Sequence, residues 1–216
     1  MKTRRSGFTT RRWPRPRVKY HTAKKRETHQ RILRSGSRIA RRQGLRAASV
    51  PRVMSGAGLT TGGFYAHFHS KTAMDVEIVR TMLGPLLGLA DLQGSVGLEW
   101  LHRAVKRYLS VAHRDKLDGC GYPAVLSEIA SAPSEVRRAF AEALEIRVAA
   151  FQPHMPPAGV TARERALATM ALTIGGLLLA RAAQGSPISE EMLSACRSWA
   201  LPEARVENRS QLRSSR

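Results

Sequence analysis

Acidic residues are almost missing from the first third of this 216-residue chain. Residues 1–69 hold 18 Lys and Arg against one acid, Glu27, whereas residues 70–216 hold 18 against 15 Asp and Glu. The overall charge is +20. Such a split describes a basic module joined to a nearly neutral one, and a partner bearing rows of phosphates suits the basic part. Cysteine is scarce as well: Cys120 and Cys196 cannot staple a secreted domain and have no metal-ligand spacing, so structural zinc is excluded. The longest uncharged apolar run, Ala166 to Ala180, has 15 residues between Arg165 and Arg181. A membrane-spanning helix needs ~20, so no membrane span is expected. No apolar h-region opens the chain, and a cytoplasmic protein is expected. Ser127, His113 and Asp115 are framed by no nucleophile motif, phosphate loop or metal spacing; the chain is not expected to be an enzyme or to hold a cofactor or metal.

What is present is helical, and the expected fold class is all-α. Residues 1–22 carry eight Lys and Arg, with Pro14 and Pro16 and no periodic apolar face. They read as a basic arm, disordered in isolation and able to reach up to ~70 Å when extended. An amphipathic helix follows from Lys24 to Gln43. Ile32, Leu33, Ile39 and Ala40 occupy an arc of about 120°, with Gly36 among them. Arg31, Arg34, Arg38, Arg41 and Arg42 lie on the opposite side. Gly44 supplies the stop.

Residues 49–60 then read as a short helix, a tight turn and a new cap. Ser49 can cap the first helix, Pro51 is tolerated within its first turn, and Gly58 permits the left-handed backbone of a sharp turn. Thr60 or Thr61 caps a second helix through Gly62-Gly63-Phe64-Tyr65-Ala66-His67-Phe68, and Ser70 caps a third opened by Lys71. Two short helices about a glycine turn in a basic surround read as a helix-turn-helix. The run from Ala57 to Met74 resembles the signature of the tetracycline-repressor (TetR) family of bacterial transcriptional regulators. The shared features are Ala-Gly before the recognition helix, Tyr-x-His-Phe within it and Ser-Lys after it. Likeness continues loosely through Gly119-Cys120, Ser127–Ala130 and Gly175–Arg181.

The resemblance implies a three-helix DNA-binding head at 23–69 and a larger helical regulatory and dimerisation domain at 70–201. The basic arm at 1–22 and a tail at 202–216 flank them. Members of the family use the residues matching Tyr65, His67 and Lys71 on DNA phosphates. The other readings are a core-edge ring for Tyr65 and a structural hydrogen bond for His67. Phe64 and Phe68, four apart, should pin the recognition helix. Thr60 and Thr61 can meet a thymine methyl or a phosphate, and Gly62 and Gly63 let backbone approach a groove. The DNA-contact set is therefore Ser49, Thr60, Thr61, Gly62, Gly63, Tyr65, His67 and Lys71. No Arg, Asn or Gln on the recognition helix offers bidentate base pairing, so groove shape should carry much of the specificity. Family members often place larger residues where this chain has Gly36 and Ala40, which leaves a gap unless a neighbour fills it.

Beyond Met74 the expected helix faces are Leu98/Leu101/Val105/Tyr108/Ala112, Val125/Leu126/Ile129 and Val136/Phe140/Leu144/Val148/Phe151. Leu167/Met170/Ala171/Ile174/Leu178/Ala182 form another, with Gly175 and Gly176 near its middle; Ile188, Met192, Cys196 and Trp199 follow. By resemblance, the last two long helices build a four-helix bundle with a second copy; packing within one chain is the alternative. A small-molecule effector of unknown identity is implied in this domain, near Trp100, Tyr108, Tyr122, Phe140 and Phe151, each of which also reads as plain core. The function implied is a ligand-responsive repressor binding double-stranded DNA at a palindromic operator as a homodimer. The competing reading is a nonspecific nucleic-acid binder.

Overall fold

A computed structural model describes residues 17–83, 92, 94–116, 120–157 and 159–201, with backbone alone for 17–22. Among the described residues every regular element is helical. The first, α1 (Arg17–Gln43), starts inside the stretch expected to be an arm. After Pro16 no proline or glycine occurs until Gly36, so nothing in the local chain opposes six further residues of helix. Residues 1–16 and 202–216 lie outside the described residues.

Helix α1 is amphipathic as expected. Ile32, Leu33 and Ala40 are buried, while Arg31, Arg34, Arg38 and Arg42 are exposed. Arg41 departs from that face: its Nη2 donates to the Met82 carbonyl at 3.5 Å. Next come α2 (Val50–Gly56), a 3-10 helix (Thr61–Ala66) and α3 (Lys71–Leu83). Gly58 has φ +68 at the turn between the two short helices, the left-handed conformation that its position demands. The gap at Gly36 is filled from α3: a Cβ there would stand 2.4 Å from Ile78 Cδ1. Ile78 thus occupies the volume that a larger residue at 36 would take.

The body follows as α4 (Gly97–Tyr108), α5 (Val111–Asp115), α6 (Gly121–Ala130), α7 (Ser134–Phe151), α8 (Ala162–Ala182) and α9 (Pro187–Ala200). Ala112 falls on α5, so the expected face from Leu98 to Ala112 is broken. Ser110 starts a new helix there by accepting the His113 amide at 3.1 Å. Leu98 on that face is exposed. Carbonyls left free where α4 and α5 end are capped by guanidinium groups. Arg181 donates to the carbonyls of His113, Arg114 and Lys116, and Arg197 to that of Leu109. Such caps satisfy acceptors that a helix end cannot satisfy itself. A capping box between Thr161 and Glu164 opens α8.

Helix α8 is longer than its uncharged run. At 21 residues it is by length and composition long enough to cross a membrane, and 44% of its most apolar window is buried. It packs along α9 and against α7. Its two central glycines face different ways. A Cβ on Gly176 would meet Cys196 Sγ at 2.5 Å, so that position is needed for close approach of α9, whereas Gly175 faces open space.

Candidate nucleic-acid interface

The two short helices expose a continuous ledge. Thr60, Thr61, Gly62, Tyr65 and Ala66 are all exposed, and nothing lies within 4 Å of a Cβ built on Gly62. Tyr65 is 78% exposed. Beneath it Phe64 and Phe68 are buried with their rings stacked at 5.6 Å. Two rings four residues apart fix the segment and leave Tyr65 directed away from the core.

The segment is a 3-10 helix rather than an α-helix, and the caps differ accordingly. Ser49 and Thr60 take the extended backbone of N-cap residues, yet neither side chain makes a cap hydrogen bond. For Ser49, Pro51 removes the amide at the second helical position. For Thr60, the Gly63 amide is already committed to the Thr60 carbonyl at 3.2 Å, in the tighter ladder of a 3-10 turn. Both hydroxyls remain available to a ligand. Ser70 does cap, accepting the Ala73 amide at 3.0 Å.

Lys71 pairs with Asp75 on the next turn of α3. Burial raises the Asp75 carboxyl above its ordinary value, against the opposing influence of Lys71. The ammonium is held at the edge of the ledge and keeps 38% of its side-chain exposure. His67 sits less openly. Its ring centroid is 6.0 Å from that of His29, which stacks on Phe68 at 4.7 Å and meets Glu77 Oε2 at 2.7 Å. Burial, then His29 and Lys25, pushes the His67 imidazole below its usual pKa.

Sequence reading missed His29. Its signal was the helical spacing that puts His29 on the face of Ile32, Leu33 and Gly36. It also missed the joint between head and body. Glu128 of α6 accepts the Arg46 amide at 2.7 Å, and Arg46 Nη2 donates to Ser131 Oγ at 3.2 Å. Gly44, at φ +87, makes room for that carboxylate. No pattern within 20 residues of either partner foretells a contact spanning 82 positions.

Residues 32–78, which span this ledge, match the model of bacterial regulatory proteins, tetR family. Over those residues the head is similar to that family. No curated protein sequence matches the chain. Its fold is shared by solved structures of such regulators. A TetR-family transcriptional regulator from Cytophaga hutchinsonii has 19% identity and a TM-score of 0.67, over 81% of this chain and 94% of that one. The reduced form of Escherichia coli NemR has 18% identity and a TM-score of 0.65, over 79% and 95%. The Bacillus subtilis regulator FadR, solved in complex with stearoyl-CoA, has 11% identity and a TM-score of 0.62, over 81% and 98%.

In the body, the five aromatic residues of the expected effector region fall into two groups. Trp100 packs edge-on to Phe151 at 4.9 Å and stacks on His154 at 4.1 Å. Tyr122 meets Phe140 at 5.9 Å and lies under the buried Arg147 guanidinium at 5.1 Å. Tyr108, in the second group, hydrogen-bonds Cys120 Sγ at 3.0 Å through its hydroxyl. Burial drives the Tyr108 hydroxyl well above its ordinary pKa, and the adjacent Cys120 adds to the rise. Cys120 and Cys196 are both free and buried. Elsewhere His113 contacts the Tyr108 carbonyl, and Asp115 is engaged by Arg114 and Gln184. Among the described residues no three His, Cys, Asp or Glu side chains are grouped to hold a metal.

Proposed function

We propose that the protein is a sequence-specific DNA-binding transcriptional regulator, a ligand-responsive repressor that holds a palindromic operator as a homodimer. The observation that carries this reading is the ledge. Thr60, Thr61, Gly62, Gly63 and Tyr65 project from a pinned segment, in a head of strong positive charge. In this assignment Thr60 and Thr61 face bases, and Gly62 and Gly63 bring backbone close to the groove. Ser49, Tyr65, His67 and Lys71 take phosphates. The proposed division is a basic arm at 1–22, the head at 23–69, the body at 70–201 and a tail at 202–216.

Support for the dimer comes from apolar groups left outside. On α8, Leu167, Ala171, Gly175, Leu178 and Ala182 recur at helical spacing, and all but the half-buried Gly175 are exposed. On α9 the matching line is Ile188, Met192, Ala195 and Trp199, with Trp199 66% exposed. Two adjoining apolar lines on neighbouring helices suit a four-helix bundle with a second copy. Paired heads one helical turn apart (~34 Å) then read two half-sites. Effector response is proposed for the body, near Tyr108, Tyr122 and Phe140, where hydroxyls, the Cys120 thiol and Arg147 meet apolar walls. Trp100 and Phe151 form its second flank. FadR, of the same fold, holds stearoyl-CoA, and this supports a ligand-binding body here. The setting is cytoplasmic, where such DNA resides.

The test is binding to the DNA upstream of the protein's own gene against a scrambled duplex at fixed salt. Preference of about 10³-fold or more is expected. Equal affinity for both favours a nonspecific nucleic-acid binder.

A further inference from the structure

On α1, residues 40, 36, 33, 32, 29 and 25 share one face at helical spacing. Ala40, Gly36, Leu33 and Ile32 are buried, His29 is half-buried and Lys25 is exposed. The face changes from apolar to cationic where it passes Phe68, so the first turns of α1 overhang the end of the core. Under the overhang is a cleft of about 500 Å³ lined by Lys25, Arg26, Glu27, His29, Gln30 and His67. Packing alone gives no reason for a lysine on that side.

We infer that this cleft seats one phosphodiester of a bound duplex, with Lys25, Gln30 and His67 as its ligands, and that His67 takes a proton from solvent as the phosphate arrives. The inference rests on the DNA-binding reading and adds to it the α1 residues and the proton.

Three observations support it. The His67 Nδ1 is enclosed and makes no hydrogen bond, so no acceptor inside the fold favours the protonated ring before an anion arrives. The wall opposite is fixed, because Glu77 of α3 holds His29 at 2.7 Å while the His29 ring stacks on Phe68. The charges around His67 are also short of an anion. From α1 come Lys25, Arg26 and His29 against Glu27; from α3, Glu77 is committed to His29, and Lys71 and Asp75 to each other. His69 follows on the connecting loop. Burial, His29 and Lys25 all disfavour a charged His67 in the free protein. A phosphate in the cleft reverses the balance. It accepts from the Lys25 ammonium, the Gln30 amide and the imidazolium, and its negative charge makes the protonated ring the stable form.

The sign of the linkage follows. Binding raises the His67 pKa, so affinity must grow as pH falls through the histidine range and weaken as pH rises. The probe is a mixed-sequence duplex, since phosphate contacts do not depend on sequence. Full-length protein is titrated with it at constant ionic strength from about pH 8 to about pH 6. Native affinity should rise by about tenfold per head, the equivalent of one pKa unit. His67→Gln should flatten that profile. Lys25→Gln, a change at an exposed position that leaves folding intact, should reduce the log–log salt slope by about 0.9 per head. Lys24→Gln, outside the cleft, should keep the full pH dependence. Native binding with no pH dependence, or a pH dependence that His67→Gln leaves intact, overturns the seat alone. Absence of duplex binding at every pH overturns the seat together with the reading on which it rests.

Discussion

Head and body solve opposite problems with the same helices. The head places its apolar residues inside and its charge outside: Ile32, Val53, Phe64 and Ile78 are buried, and Arg31, Arg34, Arg38 and Arg42 are exposed. The body reverses part of that order. It buries Arg114, Arg147 and Ser189, and leaves Leu178, Leu179, Ile188 and Trp199 exposed. Burying a guanidinium costs energy unless its donors are met. Arg114 meets Ser189 at 2.9 Å and Asp115 at 2.7 Å, tying α5 to α9. A surface of charge suits a polyanion that comes and goes. A surface of leucine suits a protein face that stays covered.

The largest effect should come from breaking that second surface. Leu178→Glu with Trp199→Glu puts like charges into the proposed bundle, and sedimentation should then show a monomer with duplex affinity lost by orders of magnitude. A dimer that survives the pair of changes would assign those residues to an ordinary exposed face. Next in size is Phe64→Ala. Removing a fully buried ring from under the ledge should cost about 3–5 kcal/mol in urea unfolding, and a loss under 1 kcal/mol would mean that the ring does not pin the segment. Gly36→Ala tests packing between α1 and α3. Alanine gains ~1 kcal/mol in helix propensity, but its Cβ would overlap Ile78, and overpacking costs about 1–3 kcal/mol. With Ile78 fully buried the second term should win, giving a net loss of up to about 2 kcal/mol. Adding Ile78→Val, which deletes the nearer of the two overlapping carbons, should recover part of it. The smallest stability effect belongs to Tyr65→Ala, within about ±0.5 kcal/mol as for exposed sites generally. Its DNA affinity should nevertheless fall by a similar factor on every duplex.

What the sequence made legible was local. The glycine turn at Gly58, the pinning pair Phe64 and Phe68, the cap at Ser70 and the exposed arginine stripe all follow from spacing and side-chain chemistry within a turn or two. The errors were local in another way. A 3-10 segment and an α-helix share the same composition over six residues, and only the commitment of the Gly63 amide separates them. The break at Ser110 was hidden because Leu109 and Ala112 keep an apolar period across it. Contacts joining distant elements had no sequence trace at all. Glu128 on Arg46, Arg181 on the carbonyls of α5 and Ile78 against Gly36 depend on how helices cross. The cleft beside His67 belongs to the same class, since Lys25 and His67 meet only after α1 has packed over Phe68.

The central claim is that the cationic head grips a duplex through the ledge at Thr60–Tyr65 and its flanking phosphate ligands. Its most direct test is the salt dependence of duplex binding for the native protein and for Tyr65→Ala with Lys71→Ala, at one pH and with melting temperatures in hand. Affinity should fall linearly on a log–log plot. The double variant, which leaves Asp75 without its partner and so melts somewhat lower, should stay folded at the assay temperature and lose about 0.9 in slope for each phosphate contact removed. An unchanged slope in a folded double variant would contradict the account.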